Sequence, residues 1–142
     1  MGKKVNITLT VQASGLYGMS SPTQAQVDSH CTIADDNYGS SPNGTLEDFQ
    51  SNVYNENDVK WLGATSDSGF TVAITSIVSK SGSIFDSGTL NGSGGRSGNV
   101  EGKVKKGTPN KQIDTYTINF SVYDNGNNPK PFSIDPKLQS NP

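Results

Sequence analysis

Val5-Asn6-Ile7-Thr8-Leu9-Thr10-Val11 sets four aliphatic side chains against three polar ones in unbroken alternation. Successive side chains of a strand point to opposite faces, so this stretch has one face for a core and one for water. On a helix the same aliphatics would be scattered around the circumference and could not share one apolar stripe. Tyr116-Thr117-Ile118-Asn119-Phe120-Ser121-Val122 repeats the pattern near the other end of the chain and runs into Asp124-Asn125-Gly126, residues suited to reversing a strand.

Other strand signals lie between and after these two. They are His30-Cys31-Thr32-Ile33-Ala34; Phe49, Ser51 and Val53 on one parity; Val59-Lys60-Trp61-Leu62; and the β-branched run Phe70-Thr71-Val72-Ala73-Ile74-Thr75-Ser76-Ile77-Val78. Val100 and Val104 flank a further strand, and Phe132-Ser133-Ile134 forms the last, ended by Pro136. Pro42-Asn43-Gly44 and Asp35-Asp36-Asn37-Tyr38-Gly39 supply turns. No segment sustains a helical period; residues 23–27 allow one turn at most. Residues 81–98 are rich in Gly and Ser and read as a long flexible loop with a short edge strand near Ile84 and Phe85, and residues 139–142 as a loose tail. The expectation is an all-β fold: one Greek-key β-sandwich domain over residues 1–142, with about seven or eight strands. Cupredoxin-like and immunoglobulin-like strand orders fit the pattern equally.

A chain of 142 residues can build one core without covalent staples, and its single cysteine, Cys31, leaves no intrachain disulfide. A formal charge of −2 with both signs interspersed offers no field for nucleic acid or an anionic membrane. No apolar run reaches the roughly 20 residues that a membrane-spanning helix needs. Lys3 and Lys4 are followed by strand alternation where a secretory signal would have an apolar block. If Met1 is the native start, the expectation is a cytoplasmic protein or one exported by a leaderless route.

Catalytic chemistry is thinly represented. His30 is the only histidine, and in a strand it and Cys31 would point to opposite faces, which separates the one base from the one thiol. One His and one Cys cannot assemble a structural zinc site of the usual kind. The carboxylates Asp48, Asp58, Glu101 and Asp114 are scattered, with no spacing that pairs them for glycoside hydrolysis. Asp35, Asp36 and Asn37 are the weak calcium candidates. An EF-hand loop beginning at Asp35 would need Gly and Glu where the chain has Ser40 and Leu46, so a turn capped by these side chains is the better reading. Gly92-Ser93-Gly94-Gly95-Arg96-Ser97-Gly98 has no following helix to make it a phosphate cradle and reads as a flexible linker or a hairpin tip. Acceptor sequons at Asn6, Asn43, Asn91 and Asn119 are what a chain rich in Asn, Ser and Thr produces by chance. Tyr17, Tyr38 and Tyr54 could form a sugar-stacking surface if loops bring them together.

Asn57-Asp58-Val59-Lys60-Trp61 followed by Phe70-Thr71-Val72-Ala73-Ile74 resembles the turn–strand–loop–strand arrangement of cupredoxin-like sandwiches. Copper-binding members use two His and a Cys, which this chain lacks, so the resemblance implies the topology without the copper. Val59-Lys60-Trp61 and the ending Phe132-Ser133-Ile134-Asp135-Pro136 resemble the bacterial AidA/PixA inclusion-body family. That resemblance implies a non-enzymatic, β-rich protein that accumulates in bacterial cells. The functional expectation is a structural or interaction protein that associates with itself or with another protein and needs no cofactor. The alternative is a lectin-like carbohydrate-binding module, assisted by calcium at Asp35, Asp36 and Asn37.

Overall fold

The computed structural model describes residues 2–37, 39–41, 44–80 and 84–141. The alternating stretch Val5–Val11 is the first strand, β1. It is followed by α1 (Ala13–Tyr17), α2 (Gln24–Ser29), β2 (Cys31–Asp35), β3 (Gln50–Tyr54), β4 (Asp58–Ala64), β5 (Thr71–Ser79) and β6 (Thr89–Asn91). The last elements are β7 (Val100–Lys103), β8 (Ile113–Tyr123), β9 (Pro129–Ile134) and β10 (Lys137–Asn141). One sheet has the order β2-β1-β4-β7 and the other β3-β10-β8-β5-β6. The long strand β8 is paired along one side by β5, and along its other side by β10 at residues 113–115 and by β9 at 118–123. β1–β4 and β3–β10 are parallel ladders.

The two sheets close on each other through the faces that the alternation sets aside. Val5, Ile7, Leu9 and Val11 are no more than 1% exposed, and Tyr116, Ile118, Phe120 and Val122 are wholly buried. Burying each such side chain contributes about 1.5–3 kcal/mol, so these two strands supply a substantial part of the core. Trp61 of β4 sits between the sheets with its ring edge-on to Phe85 and 5.8 Å from that of Tyr116. Among the described residues, no helix is long and apolar enough to cross a membrane.

Several elements differ from the sequence expectation. The described residues form ten strands where about seven or eight were expected, the added ones being β6 and β10. Residues 139–141 of the tail expected to be loose belong to β10, which lies inside its sheet between β3 and β8 with Leu138 and Ser140 wholly buried; residue 142 lies outside the described residues. Pro136 interrupts rather than ends the pairing: it lacks an N–H, yet its carbonyl accepts from Tyr116 N at 3.0 Å and the ladder resumes at Lys137. Ile84 and Phe85 are 0% and 4% exposed, so they belong to the core and form no exposed edge. His30 lies outside β2, as the C-cap of α2. That helix exceeds one turn because Thr23 and Gln26 form a reciprocal capping box, satisfying two N–H groups that its first turn would leave unpaired. The short helix α1, which no helical period announces, is held by the buried Ala13 and Leu16. Pro42 and Asn43 of one expected turn, and 81–83 at the start of the expected loop, lie outside the described residues.

Candidate functional site

A sheet edge exposes unpaired N–H and C=O groups, and the fold covers most of its edges in identifiable ways. Along β3, Ser40 and Gln50 exchange both backbone hydrogen bonds and the Asn37 side chain donates to Asn52 O at 2.9 Å. On β6, the Ser87 hydroxyl donates to Thr89 O at 2.7 Å and accepts from Thr89 N at 3.3 Å. The seam between β6 and β7 is tied at one end by Ser93 N to Asn99 O and at the other by Lys105 N to Ile84 O. Leu90 packs on Gly102 between those ties. On β9, Asp124 N bonds Asn128 O, which makes Lys130 and Phe132 the residues whose amides face β8. The outward positions are therefore Pro129, Pro131 and Ser133. Two of them have no N–H, and the carbonyl of the third accepts from Gln24 Nε2 of α2 at 2.8 Å.

β2 is different. Gln12 N donates to His30 O and Asp36 N to Asn6 O, fixing the parity of the β1–β2 ladder, so Thr32 and Ala34 turn their amides into β1. Cys31, Ile33 and Asp35 turn theirs away from the sheet, and among the described residues no backbone group meets them. The strand carries neither proline nor lysine. A groove of about 340 Å³ lies against it, lined by Cys31, Ile33, Thr45 and Leu46 among others. The side chains of Thr32 and Ala34 are exposed, while the Cys31 thiol is buried.

The calcium candidates occupy the end of this strand, each with its own partners. Asp35 Oδ1 accepts from Asn37 N and Gly39 N at 2.9 and 2.8 Å, closing the turn. Asp36 accepts from the backbone and side-chain nitrogens of Asn6 at 3.0 and 2.9 Å. Burial raises the Asp36 pKa, but the Asn6 donors together with Lys3 outweigh it and hold the carboxyl below its usual range. The Asn37 amide donates to Asn52 O and to the Tyr54 hydroxyl. Such an arrangement ties β2 to β1 and β3. Among the described residues no three His, Cys, Asp or Glu side chains converge on a point that could hold a metal ion.

The remaining candidates are dispersed. Tyr17 follows the end of β1, under the Lys130 ammonium at 4.6 Å, whereas Tyr54 lies beside Gly2 and Asn37 near the strand's start. They sit at opposite ends of the sandwich, and Tyr38 lies outside the described residues. The His30 Nδ1 is 2.8 Å from Gln26 O. Burial, with Asp28 nearby, pushes the Cys31 thiol up to about 12, the reverse of what a nucleophile needs. Glu101 pairs with Lys4 at 2.9 Å, Asp48 lies 3.7 Å from Lys137, and the wholly buried Asp114 accepts from Ser79 Oγ at 2.6 Å. Asp58 stands opposite Lys103 in the β4–β7 register. The loop at 92–98 is a tight turn with Gly94 and Gly95 at positive φ, closed by Gly98 N to Gly95 O.

The free edge escaped the sequence reading because edge and interior strands share the same alternation. One signal could have assigned an edge by elimination: the spacing of Pro129 and Pro131 blocks pairing along one side of β9.

No family model matches the chain, and no curated protein does. Among solved structures, the fold is similar to the crystal structure of the inclusion body protein PixA from Burkholderia cenocepacia J2315, with a TM-score of 0.62. That similarity covers 99% of this chain and 94% of the other at 13% sequence identity, so it establishes a common fold.

Proposed function

We propose that this chain is a non-enzymatic structural protein that associates with copies of itself through the free edge of β2. The observation that carries the reading is the contrast among edges: β3, β6 and β9 are bonded over or lack N–H groups, the β7 side is tied at both ends, and among the described residues no backbone group covers β2. Fold similarity to an inclusion body protein supports the structural class. The small net charge leaves self-repulsion weak.

Antiparallel addition of a second β2 about a two-fold axis at Ile33 pairs the outward groups of each copy. Cys31 then stands opposite Asp35 of the second copy, and His30 opposite its Asp36. Two four-stranded sheets become one of eight strands.

Size-exclusion chromatography with light scattering across concentration tests the reading. The wild-type chain is expected to pass from monomer to dimer or larger assemblies, and Ile33→Pro, which deletes an outward N–H, to remain monomeric with unchanged circular dichroism. A wild-type chain that stays strictly monomeric at high concentration ends the proposal.

A further inference from the structure

We propose that the cleft between the end of β4, the start of β5 and the 96–99 loop binds a small ligand that carries an anionic group on a compact apolar body. This site is separate from the β2 edge and does not depend on self-association. The cleft has a volume of about 230 Å³, with Leu62, Ala64, Phe70 and Val72 among its walls and Arg96 beside them.

Arg96 is the chain's only arginine. Its Nη1 donates to the Asp124 carbonyl at 3.1 Å and reaches Asn127 Oδ1 at 3.5 Å, and the guanidinium carbon lies 5.9 Å over the Tyr123 ring. These partners are neutral. Among the described residues the ion pairs all use lysine, and none includes Arg96. The guanidinium is thus oriented through Nη1 while its Nε and Nη2 donors carry no bond to the described residues. A fixed fork of this kind is suited to a carboxylate or a similar planar anion.

The walls are fixed too. Gly98 O accepts from Ile74 N at 2.9 Å, which pins the loop to β5. A side chain on Gly63 would press on the Val72 carbonyl, so the absence of one lets β4 and β5 meet closely at the cleft. Phe70 packs against Tyr17 at 5.6 Å. An enclosed apolar cavity of about 150 Å³ accepts benzene, so the space here is sufficient for a six-membered ring with a carboxylate directed at Arg96.

Benzoate is the probe, titrated into the full chain and followed by amide chemical shifts at Gly63, Gly98 and the 96–99 backbone. Saturable binding is expected, with neutral benzamide and ring-free acetate each at least ten-fold weaker. Arg96→Gln should reduce benzoate to the level of benzamide. Ala64→Phe, which fills the cleft and keeps the charge, should abolish binding while the rest of the spectrum stays native. The proposal is overturned if benzoate does not bind, if benzamide or acetate binds as well as benzoate, or if either variant binds benzoate unchanged.

Discussion

The indole Nε1 of Trp61 donates a 3.1 Å hydrogen bond to the hydroxyl of Tyr116, joining one sheet to the other where neither side chain reaches water. A buried donor left without an acceptor costs about 1–3 kcal/mol. Tyr116→Phe keeps the ring and removes only that acceptor, so urea unfolding should show a loss of this size. Trp61→Phe should lose more, because it also opens a cavity. The double variant should lose less than the sum of the two, by about 0.5–3 kcal/mol, because the residues share one interaction. Additive losses would mean that the bond contributes nothing of its own.

Burial, with the negative charge of Asp28 in support, holds the Cys31 thiol at about 12, well above its ordinary value. The folded state therefore favours the protonated thiol. Its contribution to stability is complete below the unfolded pKa of about 8.5 and is lost as pH rises from there toward 12. Native protein at pH 8 should react slowly with an aromatic disulfide reagent and rapidly once urea unfolds it. Cys31→Ala should flatten the alkaline decline in stability, and rapid labelling of the native chain would contradict the assignment.

Pro129 and Pro131 stand on the outer edge of β9 with exposed side chains. Replacing both with threonine restores two outward N–H groups and leaves this edge able to pair. The double variant should scatter more light than the wild type at equal concentration, with little change in its urea midpoint. Unchanged scattering would show that α2 alone protects this edge.

Gly63 and Gly102 both face a neighbouring strand closely, but the obstructing atoms differ. At Gly63 a methyl group would meet the Val72 carbonyl, and at Gly102 the terminal methyls of Leu90. Backbone cannot give way as a leucine end can. Gly63→Ala should therefore cost about 1–3 kcal/mol, the range for forced overpacking, and Gly102→Ala clearly less. Thermal or urea unfolding of the two variants side by side checks the order.

How much of this was legible in the sequence depends on how many apolar positions each element carries. β1 and β8 declared themselves because four alternating side chains of each enter the core. β10 did not, because of Lys137, Leu138, Gln139, Ser140 and Asn141 only Leu138 is a buried hydrophobe, and its place comes from two neighbours distant in sequence. Ile84 and Phe85 were hidden by a Gly/Ser context that reads as solvent-exposed, although the pair fills the space beside Trp61. The site was the least legible part. An open edge is defined by which strands lie beside it, and the cleft by a loop that local composition assigns to solvent.

The interior position of β10 also sets an order of events during synthesis. β3 finds its sheet partner in β10, across a parallel ladder that matches Gln50 with Lys137. When β3 leaves the ribosome, the strand that will hold it has not yet been translated. The β1–β4 ladder can zip as soon as residues 58–64 emerge, whereas β3 must wait, unpaired, until residues 137–141 follow the β8–β9 hairpin out. From the emergence of β3 to that of β10 the nascent chain thus displays an unpaired strand, which residues 137–141 then withdraw from view.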